Sequence, residues 1–380
     1  MQIYIHIPFC IRKCRYCAFN SIIAEENLID KYVEALCLEI ERFKNNRSIS
    51  TIYFGGGTPS ILTLQQFKKI FDTLYSNFNL ENTIEITVEA NPGTVDYKYL
   101  EKLKNLGVNR LSLGVQSFDD NLLKILGRIH NSQEALKIIE TAKNIFDNVS
   151  IDLMYDLPEQ NLNTLRKSLE MAMKLEVQHI SIYGLEIEEK TEFERLHKIG
   201  KLNLPSDEES NKMYDYITSE LPKRGWHRYE ISNYAKKGFE SQHNLGYWSD
   251  IEYLGFGAGS HSYIKGNDNN FGTRWSNIVN VNEYIECINR YQDVRILEEE
   301  INEQAAIEEF CFLSLRKAEG IDVVKFKKKF NIPIENIYHK VIDKLCRKKL
   351  ITIVDNKIKL TKLGMKYGNQ VFSEFLLFKS

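Results

Sequence analysis

Through the first half of the chain, short runs rich in β-branched and aromatic residues alternate with amphipathic stretches, and this order admits few folds. Strands are expected at Gln2–Ile7, Ser50–Phe54, Thr83–Glu89, Arg110–Val115, Val149–Leu153 and His179–Tyr183. Helical periodicity lies between them, at Leu28–Phe43, Leu64–Phe78, Tyr97–Leu106, Ser132–Phe146 and Asn163–Leu175. Strand then helix, repeated at about 30 to 35 residues, is the pattern of βα units around a parallel sheet. The expected fold is therefore α/β, a partial (β/α)6 barrel. In a barrel, functional groups sit on the loops that leave the strand C-termini. The unusual residues fall there: Cys10–Cys17 after the first strand, Gly55-Gly56-Gly57-Thr58-Pro59 after the second, Glu89 at the end of the third, Gln116 after the fourth and Asp152 at the fifth.

Beyond Tyr183 the pattern loosens into an aromatic, Gly-rich region with strand and loop signals, running to about Tyr263. After Glu298, helices are expected at Asn302–Arg316, Asp322–Phe330 and Ile334–Lys349, then strands at Leu350–Val354 and Lys357–Leu360 joined through Asp355-Asn356. Helices followed by a hairpin suggest a winged-helix-like α+β module. Charge supports the division: residues 320–380 carry 14 Lys and Arg against 5 Asp and Glu, in a chain whose net charge is −2. Three parts are expected: a barrel over 1–235, an aromatic region completing the core over 236–298, and a basic module over 299–380. No apolar run approaches the ~20 residues of a membrane-spanning helix, and the N-terminus lacks a secretory pattern. A cytoplasmic protein is expected, with peripheral membrane association left open.

The 7 cysteines are sparse for 380 residues, and Cys10, Cys14 and Cys17 crowd together as C-x3-C-x2-C. In a reducing compartment such a cluster suggests metal or redox chemistry. Structural zinc wants four closed ligands, so zinc here needs a remote fourth. Three thiolates on a cubane 4Fe-4S cluster leave one iron open, which suits redox activation of a ligand. Free thiols are the remaining alternative. Around this loop, three glycines after the second strand allow close approach of a charged ligand. Glu89, Gln116, Arg128 and Asp152 are each readable as helix caps. On successive units of one barrel face they instead suggest a polar, nucleotide-like pocket.

C-x3-C-x2-C at the end of a first strand, with Tyr16 before the last cysteine, resembles the signature of the radical S-adenosylmethionine (SAM) superfamily. The resemblance implies that Cys10, Cys14 and Cys17 hold a 4Fe-4S cluster whose open iron chelates SAM, and that an electron from the cluster cleaves the sulfonium. The segments Tyr4–Cys10, Gly55–Pro59, Glu89, Ser112–Phe118 and Ile151–Pro158 resemble, more narrowly, the oxygen-independent coproporphyrinogen III dehydrogenase (HemN) branch. There the positions matching Tyr4, Tyr16, Gly56, Gly57, Thr58, Glu89, Gln116, Arg128 and Asp152 contact SAM. The resemblance covers essentially the whole chain, including the C-terminal module.

Two departures matter. The dehydrogenase pattern has a further cysteine two residues after the last ligand, where this chain has Phe19, and it has an N-terminal extension where this chain begins three residues before Tyr4. Both departures are features of the HemW-type haem chaperones, which are proposed to bind haem and deliver it to apoproteins. Gln242-His243-Asn244-Leu245-Gly246-Tyr247-Trp248 resembles their HNxxYW motif, which makes His243 a candidate haem ligand. His261 and His227 are competing candidates, and a satisfied core histidine is the commoner role for such a pattern. The expected function is haem binding and transfer, with haem, acceptor apoproteins and a flavodoxin- or ferredoxin-like reductant as partners. A tetrapyrrole-modifying enzyme is the alternative, with coproporphyrinogen dehydrogenation argued against. A third alternative, nucleic-acid binding through Lys327–Lys329 and Arg347–Lys349, is disfavoured against a solvated basic face.

Overall fold

A computed structural model describes residues 1–23, 25–43, 47–266 and 271–377. The six expected strands form as β1 (Gln2–Ile7), β2 (Ser48–Gly56), β3 (Asn79–Ala90), β4 (Arg110–Gln116), β5 (Asn148–Tyr155) and β6 (His179–Gly184). They pair in parallel in chain order, with Tyr4 opposite Tyr53, Phe54 opposite Val88, Glu89 opposite Ser112, Leu113 opposite Ile151 and Asp152 opposite Ser181. The crossovers are α1 (Glu26–Arg42), α2 (Leu64–Asn77), α3 (Tyr97–Asn105), α4 (Asp120–Leu126), α5 (Ser132–Lys143) and α6 (Leu162–Lys174). Side-chain caps fix the starts of all but α1. Thr63 with Gln66 and Asn131 with Glu134 form reciprocal capping boxes, and Asp96, Asp119 and Asn161 each accept a main-chain N–H.

After β6 come α7 (Glu192–Lys198), α8 (Asp207–Lys223), β7 (His227–Arg228), β8 (Asn233–Ala235), α9 (Gln242–Tyr247), β9 (Tyr253–Phe256), β10 (His261–Ile264), β11 (Thr273–Asn277), α10 (Val281–Asn289) and β12 (Arg295–Glu300). Two features depart from the sequence expectation. The 17-residue α8 stands where strand and loop signals were read. A seventh parallel strand, β9, pairs with the free side of β1, and β10 to β12 continue from it antiparallel. The sheet order is β12-β11-β10-β9-β1-β2-β3-β4-β5-β6-β8-β7.

Alternation along the strands sets the two faces. Ile3, Ile5, Ile52, Phe54, Ile86, Val88, Leu111, Leu113, Val149, Ile151 and Ile180 are buried in one apolar cluster with the helices. Burying each such side chain contributes about 1.5–3 kcal/mol, so this outer layer holds the barrel together. The intervening positions, Tyr4, Thr51, Tyr53, Glu85, Glu89, Arg110, Ser112, Ser150, Asp152 and Ser181, are polar. Polar groups on an enclosed face are costly unless hydrogen-bonded to each other or to a ligand. The barrel interior is therefore a site rather than a second apolar core.

The C-terminal module consists of α11 (Glu303–Arg316), β13 (Ile321–Asp322), α12 (Val323–Phe330), α13 (Glu335–Arg347), β14 (Ile351–Val354) and β15 (Lys357–Leu360), with β15 between β13 and β14. Cys311, Leu315, Phe326, Phe330, Tyr338, Leu345 and Phe375 form its own buried cluster, which also takes in Tyr263 of β10 and Ile301. The module thus packs against the β10 side of the sheet. Among the described residues no helix is long and apolar enough to cross a membrane.

Candidate functional site: a thiol loop over a polar barrel

The cysteine loop leaves β1 and is closed at its base by parallel pairing of Phe9–Cys10 with Ile22–Ile23. Two main-chain bonds tie its centre to neighbouring units: Arg15 N–H donates to Leu126 O at 3.1 Å, and Phe193 N–H donates to Arg15 O at 3.0 Å. Cys10, Cys14 and Cys17 are half-buried and none is in a disulfide. Thr58 Oγ1 donates to Cys10 Sγ at 3.5 Å, and Arg128 Nη1 donates to Cys14 Sγ at 3.2 Å. Burial pushes the Cys17 thiol up, and the charges of Cys14 and Cys10 add to the rise. Three thiolates this close need positive charge to stay ionised together. Among the described residues no three His, Cys, Asp or Glu groups gather closely enough to hold one metal ion. Three thiols on one loop are one ligand short of a closed zinc site and suit a cluster with one open iron. Phe19 is 70% exposed.

The glycine turn is sterically fixed at two positions. Gly56 has φ +111°, and a Cβ there would lie 2.5 Å from the His6 ring. A Cβ on Gly57 would lie 2.6 Å from Phe9 O, because Gly57 N–H already donates to Ile7 O at 2.8 Å. The turn therefore lies against the start of the thiol loop, with its backbone close to Cys10.

Beneath it lie the carboxylates. Glu89 Oε1 accepts from Tyr53 OH at 2.7 Å. Burial pushes the Glu89 carboxyl up to about 7; the Tyr53 bond opposes this and the Asp152 charge adds to it. Asp152 accepts from Ser112 Oγ at 3.2 Å and is likewise raised by burial, with Ser181 and Arg110 opposing. Gln116 takes φ +67°, in the left-handed region that costs a non-glycine residue about 1–3 kcal/mol and is concentrated at functional sites. Arg128 Nη2 donates to Gly114 O at 2.5 Å, while its buried Nε has no partner among the described residues. Tyr16 hydrogen-bonds Arg128, and burial raises its phenol. Tyr4 OH pairs with His6 Nδ1 at 3.1 Å, and its ring stacks on Tyr53 at 6.3 Å. An unpartnered guanidinium nitrogen, two enclosed carboxyls and a cradle without Cβ atoms suit a ligand bearing both charges and hydroxyls, as SAM does.

The histidine motif lies elsewhere. Gln2 Nε2 donates to the carbonyls of Gln242 and His243, and Glu85 accepts from the N–H groups of both, at 3.1 Å in each case. Gln2, Thr51 and Glu85 precede Tyr4, Tyr53 and Glu89 on their strands, so α9 closes the barrel floor, opposite the thiol loop. The His243 ring is buried. Its Nδ1 pairs with Thr51 Oγ1 at 2.7 Å and its Nε2 with Tyr247 OH at 3.0 Å, and it stacks on Tyr53 at 5.0 Å. Burial, reinforced by Arg110, lowers it to about 3, so it is neutral. In this conformation His243 is a satisfied core histidine and presents no nitrogen to haem. His227 is held by Glu240 at 2.7 Å, and His261 is exposed at the start of β10.

The structure thus gathers Tyr4, Glu89, Gln116, Arg128 and Asp152 in one lumen under the cysteines and glycines, with Tyr16 beside Arg128, and leaves His243 outside that mouth. Sequence reasoning missed Tyr53, Arg110, Ser112 and Ser181, which orient the carboxylates. Their signal was the polar member of each alternating strand. Of the basic runs, Lys329 turns back onto Asp250 at 2.6 Å.

Comparison with known proteins supports the fold. Residues 4–172 match the radical SAM superfamily and residues 301–366 the HemN C-terminal domain. The chain is 40% identical over 382 residues to the heme chaperone HemW of Bacillus subtilis (strain 168), covering 98% of each protein. It is 38% identical over 375 residues to the heme chaperone HemW of Lactococcus lactis subsp. lactis (strain IL1403), covering 98% of this chain and 97% of that one. The solved structure of coproporphyrinogen III oxidase (HemN) from Escherichia coli, a radical SAM enzyme, superposes with a TM-score of 0.85 at 21% identity, covering 100% of this chain and 90% of that one. That likeness concerns the fold.

Proposed function

Because the chain belongs to the HemW family of the radical SAM superfamily, we propose that it binds haem and transfers it to haem-dependent apoproteins while carrying a SAM-coordinating 4Fe-4S cluster. The observation that carries this reading is the full-length similarity to haem chaperones. The exposed Phe19, standing where the dehydrogenase pattern has a cysteine, is consistent with it.

Cys10, Cys14 and Cys17 would hold the cluster, and Gly56, Gly57 and Thr58 would receive the amino group of SAM. Glu89 and Asp152 would accept from ribose hydroxyls, Arg128 would pair with the carboxylate, and Gln116, Tyr4 and Tyr16 would complete the wall. Cluster and SAM together supply one-electron chemistry when bound. Thr58 and Arg128, donating to the cysteine sulfurs, would tune that centre, since hydrogen bonds to cluster ligands set its potential. A flavodoxin- or ferredoxin-like protein would serve as reductant.

Haem ligation by His243 requires α9 to lift from the barrel floor and release Thr51 and Tyr247; His261 is the exposed alternative. Anaerobic titration of cluster-loaded protein with haemin, with and without SAM, tests the function. A perturbed Soret band that saturates is expected, and an unchanged Soret region would refute the reading. The coproporphyrinogen oxidase fold motivates one control: reduced, cluster-loaded protein with SAM and coproporphyrinogen III is expected to give no protoporphyrinogen IX.

A further inference from the structure

Between the C-terminal module and the sheet lies a cavity of about 210 Å³, remote from the thiol loop. Its lining includes the apolar groups Tyr263, Phe271, Ile301 and Phe310 and the cations Lys317, Lys325, Lys329 and Lys357. The carboxylates that line it are already committed. Asp250 holds Lys329 at 2.6 Å, Glu309 holds Arg274 at 2.9 Å, Glu319 holds Lys357 at 3.5 Å, and Asp322 caps α12. Among the described residues, Lys317 and Lys325 make no ion pair. Lys317 is half-buried, and its ammonium is held by the Ser249 hydroxyl at 2.9 Å. Burial lowers it, the Glu319 carboxylate opposes this, and the charges of Lys325 and Lys357 lower it further.

Cations that crowd one another across a partly dry cavity are stabilised by an anion placed between them. Trp248, the last residue of the His243 motif, also lines the cavity, and its buried indole N–H has no partner among the described residues. Arg316 lies over its ring at 4.3 Å, adding a fixed positive charge. An unpaired donor and unpaired ammonium groups beside aromatic side chains fit the carboxylate-bearing edge of a flat apolar ligand. The cavity is smaller than the ~300 Å³ at which pockets begin to enclose drug-sized molecules, so it takes that edge and not a whole macrocycle.

We propose that this cavity is a carboxylate site, with Lys317 and Lys325 as its cationic pair, and that it anchors the propionates of the porphyrin; this rests on the haem-carrying function proposed above. The test is titration of cluster-loaded wild type, Lys317→Gln and Lys317→Ala/Lys325→Ala with haemin and with its dimethyl ester, in which both carboxylates are masked. Charge-assisted hydrogen bonds of this kind predict a loss of about tenfold or more in haemin affinity for the double variant and a smaller loss for the single one. Ester binding should be unchanged by either substitution. Unchanged melting temperature and cluster absorbance exclude a displaced module; if the double variant unfolds, Lys317→Gln carries the same comparison. Haemin affinity equal in wild type and variants would overturn the site, as would equal losses for haemin and ester. Inorganic phosphate stabilising wild type but not the variants, with haemin binding untouched, would assign the cavity to a free anion and overturn the porphyrin assignment. Wild type that binds neither porphyrin would instead refute the haem-carrying function.

Discussion

Burial raises the Glu89 carboxyl to about 7 inside the barrel, against an ordinary value of 4.5. At 1.36 kcal/mol for each pH unit, that difference amounts to about 3 kcal/mol of pH-dependent stability from one side chain. The sign follows from which form the fold prefers. Because the folded value is raised, the protonated acid is the stabilised form. The contribution is fully present below pH 4.5, declines as pH rises, and is gone once pH passes about 7. Glu89→Gln keeps the shape and the Tyr53 contact but has no proton to lose, so its stability should lack this decline. The stability of wild type relative to Glu89→Gln should therefore fall by about 3 kcal/mol between pH 4.5 and pH 8.

Guanidinium denaturation of the cluster-free protein at half-unit pH steps measures that difference. Asp152→Asn provides a second check, because Asp152 helps to raise Glu89. Removing that charge should move the decline to lower pH. A constant offset between wild type and Glu89→Gln across the whole range would mean that Glu89 is not the enclosed, charge-coupled group described here. SAM binding to the cluster-loaded protein across the same pH range bears on the proposed ligand. If Glu89 accepts from SAM, wild-type affinity should rise through about pH 7 while that of Glu89→Gln stays flat.

Cys14→Ser should lose the brown absorbance of a reconstituted 4Fe-4S cluster; retention of full iron would mean the ligands are misassigned. Gly57→Ala drives a Cβ to 2.6 Å from Phe9 O, so the turn must move, and a destabilisation of about 1–3 kcal/mol is expected by denaturant titration together with weakened cluster retention. Wild-type stability in Gly57→Ala would refute the close approach. Thr51→Val leaves His243 Nδ1 buried without a partner, which should cost about 1–3 kcal/mol. If His243 is the haem ligand, loosening α9 in this way should also raise haemin affinity. Unchanged affinity in Thr51→Val, combined with its loss in His261→Ala, would assign the ligand to β10 instead.

What was legible in the sequence had a local cause. The six parallel strands and their helices announce themselves through apolar runs and through caps a few residues away, such as Thr63 with Gln66. The thiol spacing and the glycine turn are local as well, so the upper rim of the site could be placed before any coordinates. By contrast, α8 buries only Met213, Ile217 and Leu221, one residue per turn, which is too thin a stripe to compete with the turn-like composition around it. Its Ser206 cap and run of Asp207, Glu208 and Glu209 were the signal available. The short strand β9, flanked by Gly257, is held as a strand by β1 and β10 on its two sides.

The partners of His243 lie still further away in the chain. Thr51 and Glu85 reach it from strands 192 and 158 residues earlier, distances over which no sequence period operates. That wiring also couples the two ends of the barrel. His243 stacks on Tyr53, Tyr53 donates to Glu89, and Tyr4 stacks on Tyr53 beneath His6 and the glycine turn. Whatever lifts α9 removes the ring beneath Tyr53, and whatever binds Glu89 from above draws on the same phenol. An occupant of the lumen and an opening of the floor therefore act on the same phenol, one through its hydrogen bond to Glu89 and the other through its stacked ring, so ligand binding at the thiol end should change how readily the His243 segment is released.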